Sequence, residues 1–345
     1  MSTVNRTEDK FRRLGVLLRS VLLTGPSGVL LTAALASGHT FAAEQWRAYT
    51  YNAVATVTSV KGLNALFEAV QKETNGELSV RLNLGGTLPI TASNITQAVS
   101  DNIVQIGDDA SFVGNVPVGG LVRLPMFLPK RADFEKAWDI EAEYLRPALL
   151  KKNVVLLGRY IFPENVMWSK KKLTSLADIQ GQKIRVISPE QAEFIKLLGG
   201  IPVTLGTSEV AAGLDRGVID GALTASSGYG YVWRDLLKYS YRLNVSFIDS
   251  LLIVNKDAWD KLTPQTRTKV QSLVTEHTGR ISAAMAAEDA ELTKKLADGG
   301  MVITDPSAAD LAEAEKRITP YWKTWGEKRP DLAEPLQKVR AAVGR

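Results

Sequence analysis

Two short motifs between residues 178 and 221 constrain the fold of this 345-residue chain more than any other feature. They are Asp178-Ile-Gln-Gly-Gln-Lys-Ile-Arg185-Val and Ser208-Glu-Val-Ala-Ala-Gly-Leu-Asp-Arg-Gly-Val-Ile-Asp220-Gly221. The first motif predicts a helical turn that ends at Gly181, followed by a strand over residues 183–187. Arg185 then lies near the outgoing end of that strand, where open α/β sheets bind ligands. The two motifs therefore predict a binding cleft in which Arg185 is placed to hold a carboxylate.

Predicted strands and helices alternate along the rest of the chain. Residues 46–51 and 78–82 have the pattern of strands, and the amphipathic helix between them, residues 60–74, implies a parallel βαβ unit. A second βαβ unit follows in residues 183–205. Ser208 is expected to cap the helix of the second motif. Both halves of the chain are therefore predicted to be α/β.

A long helix is predicted towards the C-terminal end. Thr263 and Pro264 provide a cap and a first turn, and the helical pattern continues to Ala297 before Gly299 and Gly300 end it. At ~1.5 Å per residue this helix is about 50 Å long. A helix of that length can span two structural units.

The first 42 residues differ from the rest of the chain and predict an export signal. Basic residues precede a largely apolar run over residues 21–36, and small residues follow it. Cleavage is expected after Ala36 or after Ala42, and the second position is favoured because the first predicted strand begins shortly after it. A transmembrane anchor is the alternative, but residues 25–28 interrupt the apolar run, which is shorter than the ~20 residues of a spanning helix.

Composition excludes several classes of function. Residues 43–345 hold 37 Lys plus Arg against 35 Asp plus Glu, and no basic face stands out, so nucleic acid is not expected as a partner. The chain has no cysteine for disulfides or for a lipid anchor, so an exported form is expected to be free in the periplasm of a Gram-negative cell. His277 is the single histidine after the signal, so histidine triads and common zinc sites lack their main residue. No cofactor, metal site or catalysis is predicted.

The motifs resemble those of the solute-binding proteins of tripartite ATP-independent periplasmic (TRAP) transporters, the DctP family. Four further matches occur in family order: Thr74-Asn75-Gly76, Gly85-Gly86-Thr87-Leu88, Leu124-Pro125-Met126-Phe127-Leu128-Pro129 and Leu262-Thr263-Pro264. The resemblance covers nearly all of the chain after the signal. It implies an α/β, two-lobed fold like that of periplasmic binding proteins, with mixed sheets and a long helix that spans both lobes.

The resemblance also implies how the chain divides into lobes. Residues 1–42 are the signal peptide. Lobe I is expected to comprise residues 43–160 and 250–290, and lobe II residues 161–249 and 291–345. Hinge strands are expected near residues 160 and 250, so that the lobes can close on a ligand.

In this family the arginine of the first motif holds the carboxylate of the ligand, which implies that role for Arg185. From its position alone, a salt bridge between the lobes or on the surface is the alternative. A second contact of the family follows the aspartate-glycine pair of the second motif, which corresponds to Leu223 or Thr224 here. Thr207, just before that motif, occupies a place that lines the pocket in the family.

Further ligand contacts are expected from the first lobe and from aromatic residues. The family implies polar and aromatic contacts at Ser111 and Phe112, and a contact at the end of the first strand, at Tyr51 and Asn52. Some members carry a second arginine, for which Arg159 is the candidate, with Asn165 or Trp168 as alternatives. An aromatic wall is expected from Tyr229, Tyr231 and Trp233 together with Trp168 and Phe112, although core packing is the alternative for each. The expected ligand is a monocarboxylate with an apolar or aromatic tail.

The sequence thus predicts a protein that captures an organic acid between two lobes and delivers it to the membrane subunits of a TRAP permease. Two alternatives remain. A sensor that presents the same solute to a membrane receptor would have the same architecture. A periplasmic enzyme acting on a carboxylate would fit the cleft, but the sequence lacks paired carboxylates at a recognisable spacing.

Overall fold

The computed structural model describes residues 43–225 and 227–345, so the predicted signal peptide lies outside the described residues. The strands are β1 (Glu44–Thr50), β2 (Leu78–Asn83), β3 (Ile106–Asp109), β4 (Val154–Ile161), β5 (Asn165–Ser169), β6 (Lys183–Val186), β7 (Ile201–Thr204), β8 (Gly221–Ala225), β9 (Tyr239–Tyr241), β10 (Asp249–Asn255) and β11 (Val302–Thr304). The helices are α1 (Thr58–Glu73), α2 (Ile95–Ser100), α3 (Arg131–Leu150), α4 (Pro189–Leu197), α5 (Val210–Asp215), α6 (Ser227–Val232), α7 (Lys256–Lys261), α8 (Pro264–Asp298), α9 (Ala308–Glu327) and α10 (Ala333–Val343).

The strands form two mixed sheets. The first has the order β2-β1-β3-β10-β4, in which β1 is parallel to β2 and β3, and β10 runs antiparallel to β3 and β4. The second has the order β11-β9-β5-β8-β6-β7, in which β6 is parallel to β7 and β8, and β5 runs antiparallel to β8 and β9. The predicted α/β fold with mixed sheets is confirmed.

The first βαβ unit forms because α1 has one apolar face. This helix buries Leu63, Leu66, Phe67 and Val70 against the first sheet and α8. With the helix covering one face, β1 and β2 lie side by side and parallel, in the arrangement that a short βαβ crossover produces.

The chain passes between the two sheets after β4 and again before β10. The connecting segments are hydrogen-bonded to each other, since Phe162 N donates to Ile248 O at 2.8 Å and Asn165 N donates to Ser246 O at 3.2 Å. These crossings lie at the positions expected for the hinges. The division into two lobes at these positions stays a prediction.

Helix α8 is the long helix that the sequence predicts. It begins where the Thr263 hydroxyl accepts a hydrogen bond from Thr266 N at 3.1 Å, and it continues over 35 residues to Asp298. It contacts α1 and β4 on the side of the first sheet and α6 on the side of the second. Within the described ranges, none of the helices is both long enough and apolar enough to cross a membrane.

The start of the second motif differs from the prediction that Ser208 is a helix cap. A 3-10 turn covers Thr207–Glu209, and its cap position is Gly206, whose N donates to the Glu209 carboxylate at 2.8 Å. Ser208 therefore lies inside the turn. The prediction was wrong because the glutamate of the motif reaches back to the backbone and starts the turn two residues earlier.

Asp220 and Gly221 hold the second motif against the first. The Asp220 carboxylate accepts a hydrogen bond from Lys183 N at 3.0 Å, which joins the start of β6 to the start of β8. Gly221 lies where β8 passes β5, and a Cβ there would be 2.0 Å from the carbonyl oxygen of Trp168 and 3.1 Å from the Cα of Ser169. Asp220 thus bonds to the backbone of β6, and backbone packing against β5 requires a glycine at position 221.

We expect Gly221→Ala to destabilise the protein by about 1–3 kcal/mol, since the added methyl group meets backbone that cannot move without disturbing the β5–β8 pairing. The measurement is urea unfolding of the variant and the wild type. Gly228→Ala is the matched control, because a Cβ at Gly228 has no neighbour within 4 Å. Equal midpoints for Gly221→Ala and the wild type would contradict this packing.

Candidate functional site

A small cavity lies at the carboxyl ends of strands from both sheets. The first sheet contributes residues that follow β1 and β3, the second contributes the ends of β6 and β8, and the two crossing segments complete the wall. The lining residues are Tyr51, Ala110, Ser111, Phe162, Arg185, Ile187, Thr207, Thr224, Ala225, Tyr229 and Ile248. The cavity volume is about 30 Å³, room for one or two water molecules. A molecule larger than this fits only if the walls separate.

Arg185 is the cation of this cavity. Its side chain is 2% exposed, its Nε donates to Leu205 O at 2.9 Å, and its Nη2 donates to the Thr207 hydroxyl at 3.2 Å. Among the described residues no Asp or Glu forms an ion pair with it. Burial lowers the pKa of Arg185 to about 10, so the guanidinium is still charged at neutral pH. A buried cation without a carboxylate partner is costly, and an anionic ligand would offset that cost.

Two arginines near the cavity, Arg123 and Arg159, already have carboxylate partners. Arg123 pairs with Asp249 at 2.7 Å, and Arg159 pairs with Glu135 at 2.6 Å and with Asp249 at 3.4 Å. Arg159 also lies 4.0 Å from the centre of the Trp138 ring and does not line the cavity. Burial lowers the pKa of Arg159, while the nearby Asp249 opposes that effect. The charge of Arg159 is therefore balanced within the protein.

Two threonines flank Arg185. Thr207 accepts its hydrogen bond, and Thr224 lies on the neighbouring strand β8 with 7% of its surface exposed. Because Ala222 is the register partner of Arg185, Thr224 is two residues further along the same face of the sheet. The cavity thus presents the Arg185 guanidinium from β6, one hydroxyl group from β8 and one from the 3-10 turn that follows β7.

Tyr51 and Asn52 follow β1 and have different roles. Tyr51 lines the cavity. Asn52 does not line it and is fully buried, with its Nδ2 donating to the Thr50 hydroxyl at 2.9 Å and to the Asp108 carboxylate at 3.4 Å. The Oδ1 of Asn52 accepts a hydrogen bond from the hydroxyl of Tyr229. Asn52 therefore connects the first sheet to the helix that follows β8.

Asp108 anchors this connection. Its buried carboxylate accepts hydrogen bonds from the Thr50 hydroxyl at 2.6 Å, from the Tyr160 hydroxyl at 2.9 Å and from the Ser250 hydroxyl. Burial raises the pKa of Asp108, and these donors oppose that effect. The amide of Asn52 has its nitrogen turned towards Asp108 and its oxygen turned to Tyr229.

Phe112 and Trp168 belong to the core in this structure. Phe112 is fully buried, with the Arg123 guanidinium 4.3 Å from its ring centre. Trp168 is fully buried and lies so close to Gly230 that a Cβ there would be 2.2 Å from the indole ring. Neither side chain lines the cavity.

Six of the ten residues predicted from the sequence are brought together, namely Tyr51, Ser111, Arg185, Thr207, Thr224 and Tyr229. Four are not on the cavity wall, namely Asn52, Phe112, Arg159 and Trp168. Sequence reasoning missed five lining residues: Ala110, Phe162, Ile187, Ala225 and Ile248. A signal was available for Ile187, which follows Arg185 by two positions and so shares its face. Ligand binding by any of these residues is a prediction.

Comparison with known proteins identifies the family. The sequence model of the bacterial extracellular solute-binding proteins of family 7 (DctP) matches residues 50–329. The C4-dicarboxylate-binding periplasmic protein DctP of Rhodobacter capsulatus is 27% identical over 181 residues, which are 52% of this chain and 54% of that protein. The alignment thus spans about half the length of that relative.

Two crystal structures are similar over most of the chain. DctP7, a Bordetella pertussis extracytoplasmic solute receptor binding pyroglutamic acid, has a TM-score of 0.80 at 24% identity, covering 88% of this chain and 100% of that one. A TRAP periplasmic solute binding protein from a Sulfitobacter species with bound β-D-galacturonate has a TM-score of 0.79 at 22% identity, covering 86% and 100%. These two structures show the same fold. The family match over residues 50–329 shows that the chain belongs to family 7 of the bacterial extracellular solute-binding proteins, the DctP family.

Proposed function

We propose that this protein captures an organic acid between two lobes, with the carboxylate of the acid on Arg185, and delivers it to a TRAP-type membrane permease. The observation that carries the proposal is the buried charge of Arg185. This residue is 2% exposed, lines the cavity and has no carboxylate partner among the described residues. A ligand carboxylate supplies the missing counter-charge.

The surroundings of Arg185 suit a carboxylate. A guanidinium can donate two parallel hydrogen bonds to a carboxylate, which fixes the orientation of the ligand as well as its charge. Hydrogen bonds from Arg185 to Leu205 O and Thr207 hold the guanidinium in place before the ligand arrives. Little side-chain entropy is then lost on binding.

The lining residues favour a ligand with one carboxylate and a compact apolar part. Within residues 43–225 and 227–345, Arg185 is the only Lys or Arg that lines the cavity, so a second carboxylate would have no cation to meet there. Phe162, Ile187 and Ile248 present apolar surface to the same space. The similar receptors that bind pyroglutamic acid and β-D-galacturonate also take ligands with a single carboxylate on a ring. A monocarboxylate with an apolar or aromatic part is therefore the proposed ligand class.

The family match supports a proposal on location and partners. We propose that residues 1–42 direct export to the periplasm of a Gram-negative cell and that the two lobes close by bending at the crossings near residues 160 and 250. Phe162 and Ile248 lie at these crossings and also line the cavity, so bending there changes the site directly. The proposed protein binds and releases its ligand without chemistry.

The test is thermal unfolding of the purified protein with a panel of monocarboxylates, dicarboxylates and sugar acids, each compared with its neutral carboxamide. At a concentration 100 times the Kd, one bound acid adds about 2.7 kcal/mol of stability, which corresponds to a rise in Tm of several degrees. We expect such a rise with at least one monocarboxylate and no rise with its amide. The proposal is wrong if no acid stabilises the protein or if an acid and its amide act equally.

A further inference from the structure

A second cavity adjoins the one that contains Arg185. Its lining residues are Val57, Thr58, Ser59, Phe162, Pro163, Ala225, Gly228, Tyr229, Met285, Glu288, Asp289 and Leu292. Its volume is about 40 Å³, and its wall comes from the start of α1, from α6 and from α8. Phe162, Ala225 and Tyr229 line both cavities. These three residues therefore separate the two spaces.

Tyr229 is one of the two aromatic residues between the cavities, and its side chain is held at both ends. Its hydroxyl donates to Asn52 Oδ1, and Asn52 is itself held by Thr50 and Asp108. On its other side the ring packs on Trp233, with ring centres 4.9 Å apart. The side chain is 7% exposed. A ligand that fills the Arg185 cavity thus meets a tyrosine fixed at both its ring and its hydroxyl.

We propose that Tyr229 is the residue that sets the maximum length of the ligand, because it closes the Arg185 cavity off from the second, apolar cavity, which α8 lines. This inference rests on the proposed function, since it assumes that a carboxylate binds at Arg185. The protein then selects compact monocarboxylates and rejects those with an extended chain. Removing the ring joins the two cavities and admits a longer apolar tail.

The chemistry of the second cavity explains why a tail would enter it. Met285 and Leu292 of α8, together with Val57 and Pro163, give it a mainly apolar wall. Burial of each methylene group of a ligand is expected to raise affinity about fourfold. A tail that extends past position 229 by two or three methylene groups therefore gains more than tenfold.

The experiment measures Kd by titration calorimetry for straight-chain carboxylates from propanoate to decanoate. In the wild type we expect affinity to stop rising at a short chain length. In Tyr229→Ala we expect the rise to continue for two or three more methylene groups, at about fourfold each. Tyr229→Phe keeps the ring, so affinity should stop rising at the same chain length as in the wild type. Tyr231→Ala, a tyrosine on the same helix that lines neither cavity, is the matched control and should leave the limit unchanged.

A second substitution tests the route of the tail. Met285→Trp in the Tyr229→Ala background refills the second cavity and should return the chain-length limit to that of the wild type. If Tyr229→Ala does not fold, Tyr229→Leu opens the same passage in part and carries the same expectation. The assignment of Tyr229 is overturned if the folded variant has the same chain-length limit as the wild type, or if Met285→Trp does not reverse the gain in affinity for longer acids.

If acids bind the wild type, such a result leaves the proposed function intact. If no carboxylate binds the wild type, the proposed function fails and this inference fails with it.

Discussion

Arg185→Ala is expected to weaken binding of the carboxylate ligand by about 2–5 kcal/mol, which is about 30-fold to several thousand-fold in Kd. The ligand carboxylate would be buried next to Leu205 O and the Thr207 hydroxyl without a cation to balance it. Titration calorimetry with the best acid of the panel measures the effect. Arg185→Lys should recover part of the loss, because lysine supplies the charge without the planar pair of donors.

The same substitution should not destabilise the protein without ligand. In the free protein the Arg185 guanidinium is buried and has no ion pair among the described residues, and its lowered pKa reflects that cost. Removing it takes away a buried charge that has no ion pair and only the more distant Glu209 to oppose its desolvation, so the Tm of ligand-free Arg185→Ala should equal or exceed that of the wild type. A large drop in Tm without ligand would mean that Arg185 is a structural residue, and the carboxylate role would lose its main support.

Arg123→Met is expected to destabilise the protein by about 3 kcal/mol or more, without a direct effect on the ligand. Arg123 is buried and donates to Asp249 Oδ1 at 2.7 Å and to Ala110 O at 2.6 Å. The substitution leaves the fully buried Asp249 with Arg159 alone, at 3.4 Å. Breaking a buried pair from one side usually costs 3–5 kcal/mol because one charge stays behind, and the remaining arginine places this case near ~3 kcal/mol.

Urea unfolding of Arg123→Met and Arg280→Met measures this difference. Arg280 pairs with Glu276 on the surface and is 67% exposed, so its substitution should change stability by less than about 1 kcal/mol. Similar losses in the two variants would show that burial of the Arg123 pair does not determine its contribution.

Several elements, among them β1, α1, β2, β6 and α8, could be predicted from the sequence because each carries its own pattern. Helix α1 buries one apolar face, and α8 has a threonine-proline start and a glycine end. The short strand pattern of β6 also predicts where the strand ends. Arg185 was therefore expected near its carboxyl end, at the edge of the sheet where ligands bind. Such features need only neighbouring residues and no knowledge of distant ones.

The remainder of the site depends on contacts between distant residues. Phe162 and Ile248 come together only because the two crossing segments pair, and nothing local marks either one as a lining residue. Arg159 and Arg185 are both arginines near strand ends, but Asp249, 90 residues further along, neutralises the first and not the second. Phe112 shows why the sequence alone was not enough. An aromatic residue that follows a strand can pack against a ligand or against an arginine, and Phe112 packs against Arg123.

The central claim is that Arg185 recognises the carboxylate of the ligand, and a thermodynamic cycle tests it most directly. Titration calorimetry would give Kd for one acid and for its neutral carboxamide, each with the wild type and with Arg185→Ala. We predict that the wild type binds the acid at least 100-fold more tightly than the amide, whereas Arg185→Ala binds both with nearly equal weak affinity. If Arg185→Ala prefers the acid as strongly as the wild type does, the carboxylate is held elsewhere and the account is contradicted.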